Sequence, residues 1–146
     1  MKSLLVLAGL VFLPLKRLEV TSAFGYRLHP LIGKWAFHEG VDLRARRDTV
    51  YAILDGLVTR ADYVPVIGLQ ITLQHPAVSS IYGHLSCVFV AKGDSAIAGQ
   101  PIGITGATGQ VTGEHLHFAI RSGQSFIDPL QFLYQLLSRK EHEQEF

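Results

Sequence analysis

The stretch GEHLHFAIR (Gly113–Arg121) sets His115 and His117 two residues apart in a run whose apolar residues fall at every second position. In an extended strand, residues two apart share a face. His115, His117, Ala119 and Arg121 therefore face one way, and Leu116, Phe118 and Ile120 the other. The apolar side is the core side, so both imidazoles are expected to look out of the core into a groove. A lone histidine is usually a satisfied core residue; this alternation argues against that here.

Two further stretches offer partners. In FHEGVDL, His38 and Asp42 stand four residues apart. A helix would put both on one face, but Gly40 and the β-branched Val41 disfavour one. A straight strand would hold them about 13 Å apart, too far for one ion. A turn or bulge at Gly40 folds the segment so that the two side chains converge. The pair is not the helical H-E-x-x-H zinc motif, because position 42 is aspartate. In IYGHLS, His84 follows a strand and is expected to share a face with Tyr82, while Gly83 leaves room for close approach. His38, Asp42, His84, His115 and His117 are thus the candidates for one centre. A catalytic zinc commonly takes three protein ligands from histidine and carboxylate and keeps a fourth position for water. Three from this set leaves two histidines for proton transfer and oxyanion stabilisation, the parts that metal-assisted amide hydrolysis needs. Spacing alone leaves open which two are free.

The segments that must position these residues read as short strands parted by turn residues. They cover 49–54, 56–64, 68–75 and 78–85, with Gly-Asp and Gly-Gln turns inside 91–105. Such regular spacing predicts an all-β fold, a sandwich or barrel-like sheet. One helix is expected near the C-terminus, with Asp128 as N-cap, Pro129 at the first helical position, and Leu130, Leu133, Tyr134 and Leu137 at helical spacing. A polar tail follows it. At 146 residues, 48% of them hydrophobic and 17% charged, the chain suits one globular domain with a sizeable core. A formal charge of +1 supplies no basic field of the kind that nucleic-acid binders use, and Arg44, Arg46 and Arg47 read as a solvated loop. The single cysteine, Cys87, excludes an internal disulfide and reads as a small buried hydrophobe in LSCVFV. His75, before Pro76, reads as a turn residue. Lys2 and the apolar run Leu4–Leu15 match the n- and h-regions of a secretory signal, too short to span a bilayer, although no small-x-small cleavage site follows. The alternative for part of this run is a first buried strand.

Taken in order, the blocks SAFGYRLHP, HEGVD, YGHLS, GITGATGQVTGEHLHFAIR and IDPLQFL resemble the lysostaphin/LytM-type zinc metallopeptidases, secreted peptidoglycan endopeptidases. The resemblance runs from about Leu18 to Leu133. It implies a compact, mainly antiparallel β-sheet core with a zinc groove, of the LytM or duplicated-hybrid-motif kind, and a short C-terminal helix. The domain would cover 18–138, after a targeting segment at 1–15 and before a tail at 139–146. The family's H-x-x-x-D motif falls on His38 and Asp42, and the second histidine of its H-x-H motif on His117; the resemblance makes these the Zn2+ ligands. The first histidine of H-x-H falls on His115 and the HLS histidine on His84, which it makes catalytic. His115 is then the candidate general base and His84 the oxyanion donor or proton carrier, with the two roles exchangeable. The implied partners are peptidoglycan stem peptides, met by a monomer in the periplasm or outside the cell, with no nucleic acid and no transmembrane span. Two positions depart from the family pattern: Glu114 stands where proline is common, and Ala119 where an acid often occurs. Arg27 and His29 are expected to brace the groove's entrance loop. The main alternative is a non-catalytic LytM-like domain that binds murein or activates another wall hydrolase. Such domains typically lose ligands that this chain keeps. A sugar-phosphotransfer carrier, with a related β architecture and two facing histidines, has no use for the His38/Asp42 pair.

Overall fold

The computed structural model describes residues 10–144. Twelve strands and one helix follow in chain order: β1 (Val20–Ser22), β2 (Gly25–Leu28), β3 (Trp35–His38), β4 (Val41–Arg44), β5 (Thr49–Tyr51), β6 (Gly56–Val64), β7 (Gly68–Gln74), β8 (Ser79–Val88), β9 (Ser95–Ala96), β10 (Pro101–Thr105), β11 (His115–Ser122), β12 (Ser125–Ile127) and α1 (Pro129–Gln144). The principal sheet has the order β1-β4-β11-β8-β7-β6-β9, with β10 bridging β5 and β8 and β12 on β11. Strands β2 and β3 form a separate two-stranded sheet. All of these pairings are antiparallel, as the short, turn-punctuated segments require.

The alternation of apolar side chains decides which way β11 faces, although burial itself runs continuously through the central strands. Leu116, Phe118 and Ile120 on β11 are fully buried, and Leu43 and Val41 on β4 stand opposite Leu116 and Phe118. With Ile71, Leu73, Tyr82 and Leu85 they make one apolar layer behind the sheet. Helix α1 starts where the sequence indicates: Asp128 Oδ1 accepts from the amides of Leu130 and Gln131 at 3.0 and 3.4 Å. The helix runs on to Gln144. It seals the core with Leu133, helped by Leu130, Phe132 and Leu136, whereas Tyr134 and Leu137 are exposed. Among the described residues no helix is long and apolar enough to cross a membrane.

Residues 1–9 of the expected targeting run lie outside the described residues. Val11 and Leu15 from the rest of that run belong to the core cluster. Phe12 N donates to the Ile53 carbonyl and Tyr51 N to that of Pro14, at 2.9 Å each, fastening this segment beside β5.

Three expectations are corrected. Cys87 is exposed, because it lies near the end of β8, beyond the residues that back onto the core. His75 is a buried hub and not merely a turn residue. Its Nδ1 donates to the Asp55 carbonyl at 2.7 Å and its Nε2 lies 2.8 Å from Ser80 Oγ, which is 2.9 Å from the Tyr82 hydroxyl. That hydroxyl accepts from Ile53 N, so the ring of His75, Ser80 Oγ and the Tyr82 hydroxyl are all paired. Tyr82 and His84 do not share a face. β8 carries an extra residue relative to β7 between the pairs Leu69↔Leu85 and Ile71↔Tyr82, and His84 has φ +60°. This bulge buries Tyr82 in the core and turns His84 into the groove.

Candidate active site

The groove floor is made by three neighbouring strands, β4, β11 and β8. Asp42 on β4 is the direct cross-strand partner of His117 on β11, whose other neighbour is Gly83 on β8. His115 pairs with Arg44 in the same ladder. A side chain at 83 would collide with this arrangement, since a Cβ there would lie 2.5 Å from Ile67 Cγ2 and 3.4 Å from His117 Cβ. His38 arrives from the end of β3 and is turned towards Asp42 by the bend at Glu39–Gly40. Gly40 is required by space: a Cβ would stand 2.5 Å from the Phe118 carbonyl oxygen, 3.0 Å from His117 Cε1 and 3.1 Å from Ala119 Cβ. Ala119 is thus part of the seat that lets this bend approach β11, which accounts for a small residue at that position.

All five candidates converge. His38 Nε2 lies 3.2 Å from Asp42 Oδ1, and His117 Nδ1 and His115 Nε2 each lie 3.4 Å from the same oxygen. The His84 ring centroid is 4.8 Å from that of His115 and 5.8 Å from that of His117. Among the described residues His38, Asp42 and His117 are the set whose ligand atoms all fall within 4.8 Å of one another. All five line one groove of about 470 Å³, roofed by residues of β2, β3 and the 110–112 loop. A larger cavity of about 960 Å³, flanked by Lys16, Arg17, Arg44, Arg46 and Arg47, contains none of them. Chemistry and not size singles out the smaller one.

Backbone carbonyls fix the histidine tautomers. A carbonyl can only accept, so the Nδ1 facing it carries the proton and Nε2 keeps its lone pair. His38 Nδ1 donates to Ala23 O at 3.0 Å, His84 Nδ1 to Thr108 O at 2.7 Å, and His115 Nδ1 to Gly113 O at 3.0 Å. These three carbonyls were not legible in the sequence, because any residue type supplies one. Burial pushes His84 down to about 4, against the opposing pull of the Thr108 carbonyl; the neighbouring His115 and His117 act in the same direction as burial. His84 is therefore neutral near neutral pH. Burial pushes the Asp42 carboxyl up, but its contacts with His117 and His38 and the nearby charge of His115 outweigh this and hold it well below the usual carboxylate range.

The donor set fits a zinc ion. With ligand distances of about 2.0–2.1 Å, the edges of a zinc tetrahedron are about 3.3 Å, close to the 3.2 and 3.4 Å that separate Asp42 Oδ1 from His38 Nε2 and His117 Nδ1. The lone pair of His38 Nε2 and a carboxylate oxygen face each other at 3.2 Å, two acceptors that only a cation or a proton between them reconciles. Glu114, the unusual neighbour of His115, turns away from the imidazoles. Its Oε2 accepts from the Arg47 amide and, at 2.9 Å, from Thr105 Oγ1, anchoring the start of β11.

Three side chains able to hold one metal ion on an antiparallel sheet, with two more histidines beside them, define the layout of a single-metal site. Residues 36–129 match peptidase family M23, and the chain belongs to that family. It is 35% identical over 119 residues to the DD-carboxypeptidase/endopeptidase Mpg of Neisseria meningitidis, an alignment covering 80% of this chain and 27% of that protein. The catalytic domain of lysostaphin from Staphylococcus simulans superposes with a TM-score of 0.73 at 32% identity, covering 80% of this chain and 92% of that one. A zinc-containing peptidase from Vibrio cholerae gives the same TM-score and identity over 79% of this chain and 37% of its own. The chain spans about a quarter of the length of the curated relatives it matches.

Proposed function

We propose that the chain is a zinc-dependent peptidoglycan endopeptidase that hydrolyses amide bonds in cell-wall peptide crosslinks and works in the cell envelope. The observation that carries this reading is the convergence of two ring nitrogens and one carboxylate oxygen at zinc spacing, with His84 and His115 beside them. His38, Asp42 and His117 would hold the ion. When bound, zinc supplies Lewis acidity to the scissile carbonyl and makes water more acidic. His115 presents a free Nε2, held in place by the Gly113 carbonyl, and is the candidate base that takes a proton from the attacking water. His84 stands across from it with the lone pair of its own Nε2 free; after taking up a proton at that nitrogen it would return it to the departing amine or donate it to the oxyanion. A neutral ring suits the base, His84 must first gain a proton at Nε2 to act as a donor, and the ligand histidines must be neutral to bind the metal.

The test is digestion of purified sacculi by the isolated chain, as prepared, after chelation, and after zinc is restored, with released peptides identified by mass spectrometry. Crosslink cleavage that is lost and regained with the metal is expected. A zinc-loaded protein that releases nothing refutes the reading and favours the murein-binding alternative.

A further inference from the structure

The groove carries one positive charge that the site just described does not use. Of the side chains lining it, Arg27 is the only arginine or lysine. It lies on β2 two residues beyond Gly25, the cross-strand partner of His38. Alternation puts Arg27 on the His38 face of the hairpin, whereas the exposed Tyr26 and Trp35 lie on the other face. Diagonal neighbours in such a pair are about 7–8 Å apart, and Arg27 lines the same groove as His38, Asp42 and His117. Among the described residues Arg27 makes no ion pair, and its Nε is buried with no hydrogen-bond partner. His29, by contrast, has a local task, its Nδ1 accepting from Leu31 N at 3.2 Å across the hairpin turn.

A guanidinium is permanently charged and offers a planar fork that matches a carboxylate through two parallel bonds. A buried Nε–H left unpaired is costly in the free protein and is satisfied when an anion arrives. We infer that Arg27 is a carboxylate-binding subsite, and that it selects substrates whose leaving amine stands on a carbon bearing a free carboxylate. This rests on the endopeptidase reading and names its bond. In an α-amino acid the carboxyl carbon is only about 2.5 Å from the amine nitrogen, so such a group enters the groove together with the scissile amide. A D-alanyl crosslink to the carboxylate-bearing centre of diaminopimelate has this feature, and so does a terminal D-alanyl-D-alanine. A glycine bridge does not, because the carboxyl next to its amine is itself in an amide.

The experiment compares N-acetyl-D-alanyl-D-alanine with its C-terminal amide, titrated calorimetrically into the full chain. The wild type is expected to bind the acid about tenfold more tightly, as one charge-assisted pair implies. Arg27→Gln is expected to bring that ratio to near one, and Arg27→Lys, which keeps the charge but not the fork, to keep part of it. Zinc stoichiometry and Tm should match the wild type in both variants. A wild type without preference, including one that binds neither compound, overturns the inference; so does a preference that survives Arg27→Gln. If the preference is present and lost in the variant while zinc-loaded protein leaves sacculi intact, the hydrolase reading fails and the subsite stands.

Discussion

The floor of the groove and the hairpin that overhangs it are both antiparallel β-structure, but they are built in opposite ways. On the floor, β11 sits between β4 and β8 and rests on the fully buried Leu43, Leu116, Phe118 and Tyr82. The β2–β3 hairpin has no third strand, and its outer face leaves Tyr26 77%, Trp35 73% and Leu28 57% exposed. Asp42, His115 and His117 belong to the floor, where neighbours on both sides fix their positions. His38 belongs to the hairpin and is held by one bond to Ala23 and its proximity to Asp42. A metal held by His38, Asp42 and His117 would therefore do two jobs: besides its chemistry, it would tie the two-stranded wall to the floor.

That contrast can be broken most sharply by truncating one large aromatic in each region. Phe118→Ala should cost about 3–5 kcal/mol of unfolding free energy, whereas Trp35→Ala should stay within about 0.5 kcal/mol, both read from urea titrations. Similar losses would mean that the hairpin is as integral to the fold as the floor. Gly40→Ala tests the joint between them. With a Cβ 2.5 Å from a backbone oxygen, it should lose about 1–3 kcal/mol and bind zinc more weakly, as a competitive chelator titration would reveal. Chelation of the wild type should speed amide hydrogen exchange across 25–38 while leaving β8 and β11 protected; uniform acceleration would erase the distinction.

The smallest effect is a pH slope away from the site. Burial depresses the His75 ring, against the Asp55 carbonyl and charge. Below pH 6.5 the unfolded state therefore binds more protons than the folded one, and stability must fall as pH drops below that value. Unfolding midpoints at pH 7.5 and 5.5 should show this loss, and His75→Gln should shrink it.

Most of the architecture was written in the alternation of the strands. Leu116, Phe118 and Ile120 declared the core side of β11, and Asp128–Pro129 declared the start of the helix. What stayed illegible depended on departures from regular pairing or on groups with no residue signature. Strand parity set His84 beside Tyr82, and only the bulge with φ +60° parts them. Gly83 was the available hint. Cys87 looked buried by its neighbours, but burial follows position along β8 and not local composition. Helical spacing likewise nominated Tyr134 and Leu137 for the core, whereas α1 rolls so that Leu130, Leu133 and Leu136 face it. The resemblance could propose five site residues by motif, yet it had nothing to say of the Ala23, Thr108 and Gly113 carbonyls that set their tautomers.

If the two histidines of one strand, two residues apart, do different work, zinc stoichiometry and turnover measured in parallel on His117→Ala and His115→Ala will separate them. His117→Ala should lose the metal and all cleavage. His115→Ala should keep stoichiometric zinc while turnover falls about 10²–10⁴-fold, the range for removing a general base. Equal loss of zinc from both variants, or a His115→Ala enzyme that still turns over normally, would contradict that division of work.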